Sequence, residues 1–516
     1  MGLLTSSEDL AAAATGSLRL SEVVSALSYA LDITEGQPEG HAVRTCMIGM
    51  RLAREIYLLP RQRSALFYAL LLKDLGCSSN ASKVAHLFGS DDRLTKCDLK
   101  TTNWSKPGGR IGFVLRNAGT GDGLMARIAR FMKVARSGAA AARELVEMRC
   151  DRGASIARTL LLPEETAAAI AALDEHWDGL GHPRGLASED IPMLARIAGL
   201  AQTVEIFYRR DGLQGALDMA QCRSGTWFDP ELVKCLAAMR KDNAFWDKLH
   251  TKDLLAEAMA FEPRECLVPA TEEHLDCIAA GFAQVIDAKS PWTFKHSEGV
   301  AALTAGIAEV MGFDPASVRH LRRAALVHDM GKLGVSNLIL DKPGRLEIHE
   351  LEKMRKHPYF TRQILSRVKG FRELADVAAA HHARLDGTGY DRGLPATHLP
   401  IETRILTISD MFEALASRRP YRQDLTEEEV MAILLRNVGT AIDGSCLEAL
   451  KTFLVKSQWE PVELAAWRGK QGGRVRSQFL TGLFPPILGV CCNQDSEVEC
   501  FAFREGTASG SNLPVI

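Results

Sequence analysis

Two adjacent histidines, His381 and His382, stand just ahead of the stretch Asp386-Gly387-Thr388-Gly389-Tyr390. Upstream lie His296, the pair His328-Asp329 and His357; downstream lies Asp410. Imidazole and carboxylate together suit borderline first-row metals, which acidify a bound water near neutral pH. One His-Asp pair would be weak evidence, because a lone histidine on a helix is usually a satisfied core or surface residue. That reading applies to His86, His176, His182, His250, His274, His320, His349 and His398. Separate ligand positions in ordered, helix-like stretches point instead to a dinuclear centre. Two cations a few Å apart need about five or six protein ligands and a carboxylate that bridges them. Asp329 is the expected bridge. His296, His328 and Asp410 would complete one shell, and His357, His381 and His382 the other. Lys332, one helical turn beyond Asp329, reaches the same face, where it would hydrogen-bond a hydroxide or neutralise a phosphate oxygen. Such a centre needs neutral imidazoles, so activity should fall as pH drops through the histidine range.

These side chains need helices to hold them. Alanine- and leucine-rich segments with helical spacing dominate, no convincing alternating strand occurs, and the expected fold is all-α. Gly76, Gly312 and Gly334 read as helix stops, and Asp314-Pro315 as a helix start. The chain also repeats itself. His41 precedes Lys73-Asp74 by thirty-two residues, as His296 precedes His328-Asp329. Asp178 precedes Gln202 by twenty-four, as Asp386 precedes Asp410. Gly225-Thr226-Trp227-Phe228-Asp229 echoes Gly439-Thr440-Ala441-Ile442-Asp443. Two homologous helical domains are therefore expected over 20–240 and 270–455, after an N-terminal segment 1–19 and joined by a linker 241–269. The first copy carries extra residues between Gly76 and Met148, and a tail, 456–516, shows no sustained helical period.

The first copy has lost the ligand set. It keeps His41 and Asp74, but Lys73, Arg149, Leu173-Asp174 and Gln202 replace the other positions. Lysine and arginine are protonated at neutral pH and repel a cation. This domain is expected to be non-catalytic, a scaffold for a homodimer, a sensor or a structural partner. Trp177 and Trp227 read as core anchors.

A chain of 516 residues predicts two or three domains. With 62 basic against 64 acidic residues, bulk binding of a nucleic-acid polymer is not expected. The twelve cysteines are scattered without a C-x-x-C, which reads as a reduced protein. No apolar run is long enough to span a bilayer and no secretory signal opens the chain, so a cytoplasmic location without membrane attachment is expected.

The ordered set resembles the HD-GYP family of metal-dependent phosphohydrolases over roughly residues 285–455. The matching residues are Ser290-Pro291-Trp292-Thr293-Phe294-Lys295-His296-Ser297, His328-Asp329-Met330-Gly331-Lys332-Leu333-Gly334, Lys356-His357-Pro358, His381 to Tyr390, Ser409-Asp410 and Arg419-Pro420-Tyr421-Arg422. The resemblance implies tandem HD-type helical bundles, the first degenerate, in a bacterial signalling protein. It implies hydrolysis of cyclic di-GMP to a linear dinucleotide or GMP at an iron or manganese centre. Arg419 and Arg422 would grip the phosphates through their rigid donor forks, and Asp386, Gly387, Gly389 and Tyr390 would shape the substrate side of the site. Three positions depart from the family. Asp391 stands in place of a proline, Ala383 in place of a glutamate, and Trp292 where members with a third metal carry glutamate. Two divalent ions are therefore expected, and Asp391 motivates a second reading in which another cyclic dinucleotide or nucleotide is the substrate. A third reading is a protein that binds cyclic dinucleotides without turnover.

Overall fold

The computed structural model describes residues 18–102, 107–120, 123–293, 295–390, 396–417 and 425–457. Among these residues every regular element is a helix, and pairing between extended segments is limited to three isolated bridges. The first lobe opens with α1 (Leu20–Thr34), α2 (His41–Glu55) and α3 (Pro60–Leu72). Three helices follow in the part the second lobe lacks: α4 (Ala81–Phe88), α5 (Asp92–Thr101) and α6 (Pro107–Asn117). The long α7 (Leu124–Thr159), α8 (Glu164–Ala171), α9 (Met193–Cys222) and α10 (Pro230–Ala238) complete it.

Residues 241–269, read from sequence as a linker, carry α11 (Asn243–Lys248) and α12 (Leu254–Met259). Their Phe245, Trp246, Leu249 and Phe261 are buried in the same core as α1 to α3, so the segment is a structural part of the first lobe. Four large apolar side chains in a short stretch are too many to leave in water; each is worth about 1.5–3 kcal/mol when buried.

The second lobe repeats the opening pattern as α13 (Glu272–Asp287), α14 (His296–Val310) and α15 (Pro315–Val327). It continues through α16 (Asn337–Leu340), α17 (Ile348–Met354), α18 (His357–Leu365) and α19 (Arg372–Ala379) to α20 (Ile401–Ala416), α21 (Glu427–Arg436) and α22 (Gly444–Ser457). Asp314 caps α15, accepting from the Ala316 and Ser317 amides, with Pro315 at the first helical position as the sequence suggested. The echoed turns have one structure. Ser224 bridges to Phe228 and Val438 to Ile442, and the pair Arg196–Asp229 is repeated as Arg404–Asp443, each at 2.8 Å.

One apolar core runs through both lobes, from Leu27, Phe67 and Ile156 to Phe282, Val300 and Phe371. A smaller one in the second lobe joins Leu303, Ile307, Phe412 and Leu450. Helix α5 bridges the lobes. Asp92 at its start accepts from buried Lys289 (3.2 Å) and from the Asn337 amide (2.9 Å), and Arg93 donates to the Gly334 carbonyl at 2.5 Å. Further along, Lys96 and Lys100 point back into the first lobe and pair with buried Glu35 at 3.4 and 2.9 Å.

Candidate metal centre

Three of the histidines share one construction. His328 follows α15, His357 starts α18 and His381 follows α19, each just after a stretch of helix whose last carbonyls lack helical partners. Each imidazole turns its Nδ1 to the carbonyl three residues back: His328 to Ala325 (2.7 Å), His357 to Met354 (2.8 Å) and His381 to Ala378 (2.6 Å). A carbonyl only accepts, so Nδ1 carries a proton and Nε2 is the nitrogen left to offer a lone pair once the imidazole is neutral. His296, at the start of α14, does the same with a carboxylate, donating from Nδ1 to Glu413 on α20.

The four Nε2 atoms converge on Asp329, whose two oxygens face different pairs. Oδ2 lies 3.3 Å from His328 Nε2 and 3.7 Å from His296 Nε2. Oδ1 lies 3.4 Å from His357 Nε2 and 3.6 Å from His381 Nε2. Asp410 Oδ1 closes the first side, 3.2 Å from His296 Nε2, and His382 joins His357 and His381 on the second. Lys332 donates to Asp329 Oδ2 at 2.6 Å. His328 Nε2 and Asp329 Oδ1 are buried with no hydrogen-bond partner among the described residues. Buried polar atoms are rarely left so, and this donor set, imidazole nitrogen and carboxylate oxygen in two adjoining groups, fits a pair of borderline divalent ions.

The electrostatics split along the same line. Burial lowers every imidazole pKa here, but for His296 the Glu413 carboxylate and then Asp410 outweigh it and hold the value near 9. Asp329 does the same for His328, near 10. His357 and His381 are dominated by burial and fall to about 3 and 4, and His382 also drops well below its ordinary value. Despite burial, Asp329 is held well below the carboxylate range by Lys332 and His328.

Close packing explains the glycine of His328-Asp329-Met330-Gly331. A Cβ on Gly331 would fall 1.8 Å from the His357 carbonyl oxygen, so only glycine lets α18 bring His357 to the centre. The Gly331 amide donates to Thr361 Oγ1 (2.8 Å), which donates to the His328 carbonyl (2.9 Å). Gly76 has the same job in the first lobe, with its Cβ position 1.8 Å from the Arg149 carbonyl oxygen; it is a contact glycine, not the helix stop expected.

Of the loop residues, Gly387 has φ +74° and Gly389 packs against the His382 carbonyl, as a tight turn needs. The Tyr390 ring lies 4.6 Å from that of His382, with the Arg355 guanidinium 5.3 Å from its centroid. The Asp386 carboxylate is engaged within the loop, accepting from Arg384 (2.8 Å), Thr388 Oγ1 (2.6 Å) and the Thr388 amide (3.0 Å). Asp386 therefore shapes the loop and does not face the imidazoles. Arg419, Arg422 and Asp391 lie outside the described residues. Ala383 is buried beside Ala380 and Leu399, and Trp292 is half-exposed.

Sequence reasoning missed Glu413 and Asp287. Asp287 accepts from Ser297, by its amide (3.2 Å) and its hydroxyl (2.6 Å), fixing the start of α14 where His296 sits. The repeat carried both signals. Glu205 and Glu413 each stand three residues beyond Gln202 and Asp410, and Asp32 and Asp287 each nine before His41 and His296.

In the first lobe, protein cations fill the corresponding space. Lys73 pairs with Asp74, Lys100 bonds Asp74 (3.1 Å) and Glu35 (2.9 Å), and Arg149 pairs with Asp174. His41 keeps its carboxylate, Glu205, at 2.5 Å, but Arg44 holds the other Glu205 oxygen at 2.6 Å. Glu35, Asp74 and Cys77 lie close enough to share an ion, yet ammonium groups already neutralise the two acids.

A helical bundle with this histidine–aspartate cluster defines a metal-dependent phosphohydrolase of the HD type. Comparison with known proteins agrees. The family model described as HD domain matches residues 131–232 and 281–446, one segment in each lobe. A 3'3'-cGAMP-specific phosphodiesterase 3 of Vibrio cholerae is 42% identical over 435 residues, covering 84% of this chain and 94% of that protein. A cyclic di-GMP phosphodiesterase of Thermotoga maritima is 41% identical over 139 residues, 27% of this chain and 38% of that protein. The crystal structure of a cyclic GMP-AMP-specific phosphodiesterase from V. cholerae aligns with a TM-score of 0.57 at 38% identity, over 85% of this chain and 98% of that one. The chain belongs to the HD-domain family and is a metal-dependent phosphohydrolase of the HD-GYP type. No helix among the described residues is long and apolar enough to cross a membrane.

Proposed function

We propose that the second lobe opens a 3'3'-linked cyclic dinucleotide at a dinuclear centre, with 3'3'-cGAMP the favoured substrate and cyclic di-GMP the second. The observation that carries the chemistry is Asp329, whose two oxygens each face a separate imidazole pair. Support for the substrate is the extended likeness to a relative named for 3'3'-cGAMP, nearly end to end, against a shorter one to relatives named for cyclic di-GMP. His296, His328 and Asp410 would hold one ion, His357, His381 and His382 the other, and Asp329 both. When bound, two divalent ions supply Lewis acidity and an activated water for attack on phosphorus.

The chain's own groups do the rest. Ala325, Met354 and Ala378 carbonyls and the Glu413 carboxylate hold Nδ1–H of His328, His357, His381 and His296, so that Nε2 is the nitrogen turned to the centre. Lys332 holds an ammonium at the edge of the cluster, where it donates to Asp329 and lies within reach of a phosphate oxygen. Tyr390 offers a ring beside His382 on which a base or ribose can rest. Arg419 and Arg422 would clamp the phosphates.

The test offers protein loaded with manganese or ferrous iron 3'3'-cGAMP, cyclic di-GMP and a generic aryl phosphodiester, beside an Asp329→Ala control. Linear dinucleotide formed fastest from 3'3'-cGAMP is the expected result. Preference for cyclic di-GMP reverses the substrate order, and product from the aryl ester alone removes cyclic dinucleotides altogether. Binding without product, equal in the control, leaves only a receptor.

A further inference from the structure

We infer that the segment the first lobe carries beyond the second docks on an anionic lipid surface, through the opening turns of α7. Along that helix Leu124, Ile128 and Met132 recur every four residues with Met125 beside them, which sets them on one face. All four are exposed, Leu124 by 74%, Met125 by 79%, Ile128 by 50% and Met132 by 45%. On the neighbouring α6, Ile111 and Leu115 are more than half exposed as well. Single apolar side chains on a surface need no explanation, but six on two adjoining helices do.

This face is not the one that holds α7 to the protein. Val134 does that, buried with Val84, Phe88 and Phe113 in a small apolar cluster of their own. Arg127 and Arg130 assist, donating to the Leu115 and His86 carbonyls at 2.7 and 2.8 Å. At 3.6 residues per turn these anchoring groups fall to one side of the apolar stripe, and Lys133 falls behind it. The stripe itself is bordered by cations and turned to solvent.

Charge selects the partner. Residues 106–143 carry eight basic side chains and one acidic, Asp122, although the whole chain has 62 basic against 64 acidic. A carbonyl is neutral, so the bond from Arg127 to Leu115 leaves the guanidinium charge in place. An apolar stripe bordered by guanidinium and ammonium groups suits the boundary between acyl chains and anionic headgroups. There the stripe leaves water and the cations meet phosphate. Lying on a bilayer needs only such a face, not a run long enough to span it. A second copy closing on the same face would set like charges together. A nucleic-acid polymer would meet the cations but leave the leucine and methionines in water. The proposal does not depend on the substrate of the second lobe.

Full-length protein is mixed with vesicles of phosphatidylcholine alone, or of phosphatidylcholine and phosphatidylglycerol in equal parts, and sedimented at low and high salt. Binding to the anionic vesicles about tenfold or more tighter than to the neutral ones, and weakened by salt, is expected. Met125→Gln with Ile128→Gln, which leaves every charge in place, should weaken it about tenfold or more with an unchanged thermal midpoint. Lys133→Gln should weaken it about fivefold. Asp329→Ala, in the other lobe, should bind as the parent does. The proposal fails if anionic vesicles leave the protein in solution at low salt, or take it up no better than neutral ones. It also fails if the glutamine pair binds like the parent. A dimer in sedimentation velocity that the glutamine pair splits, and that ignores vesicles, would overturn it in favour of a second copy.

Discussion

The two lobes solve the same buried-charge problem with different cations. In the second, Asp329 and Asp410 face imidazole Nε2 atoms that point inward, an arrangement suited to an external ion that displaces their protons. In the first, Asp74 and Glu35 face Lys73 and Lys100, so the positive charge is built into the chain. Both lobes keep the surrounding frame: a helix-starting histidine bonded to a glutamate, a glycine packed on a carbonyl, and a repeated Arg–Asp turn. A small number of side chains therefore separates a candidate metal centre from a self-neutralised cluster on the same frame.

The contrast can be broken most severely at the paired aspartates. Asp329→Ala is expected to lower phosphodiesterase turnover by more than about a thousandfold, because both halves of the proposed centre would lose a shared ligand. Its counterpart Asp74→Ala should leave turnover per folded molecule near normal but cost about 3–5 kcal/mol of stability by stranding Lys73 and leaving Lys100 with Glu35 alone, measured by denaturant titration. Next are the two glutamates. Glu413→Gln should weaken metal affinity about 10–100-fold, whereas Glu205→Gln should leave it unchanged; metal titration of each variant decides.

Acidity sharpens the comparison inside the second lobe. Without metal, His296 and His328 have raised pKa values, about 9 and 10, and are protonated at pH 7; His357 and His381, at about 3 and 4, are not. An ion bound by the first pair must displace protons, so its affinity should rise from pH 7 towards 9, about tenfold per unit for each proton displaced. The ion on the other pair should respond far less. Two-step metal titrations at several pH values test this, and equal pH slopes for both steps would refute it. The smallest effect concerns the repeated turn. Asp229→Asn should destabilise more than Asp443→Asn, by about 1 kcal/mol in thermal or denaturant melts, since the first pair is the more buried.

Much of this was legible in the chain. Histidine and aspartate types at ordered spacing marked the cluster, because few other jobs need so many imidazoles near carboxylates. Helical period and the repeat gave the all-α lobes, and Asp314-Pro315 its helix start. What the residues near the cluster contribute was harder to read. Glu413 sits one turn beyond Asp410, where an acid on a helix is ordinary until His296 is known to face it. Asp386 lies in the motif, but its bonds to Arg384 and Thr388 are local and invisible to spacing. The bridging role of α5 could not be read, since the repeat offers no counterpart for the residues that contain it. Residues 241–269 read as a linker because their helices are too short to show a period, although Phe245, Trp246 and Phe261 are buried in the first lobe's core.

The junction at Asp92 limits how this protein can be dissected. Lys289 is 2% exposed and its ammonium meets Asp92, a residue of the opposite lobe, while the Asn337 amide relies on the same carboxylate. A gene trimmed to the second lobe would produce a chain with an orphaned lysine and a bare apolar face along α13, prone to precipitate before its chemistry could be measured. The first lobe is thus part of the architecture that the second rests on, whatever else it does.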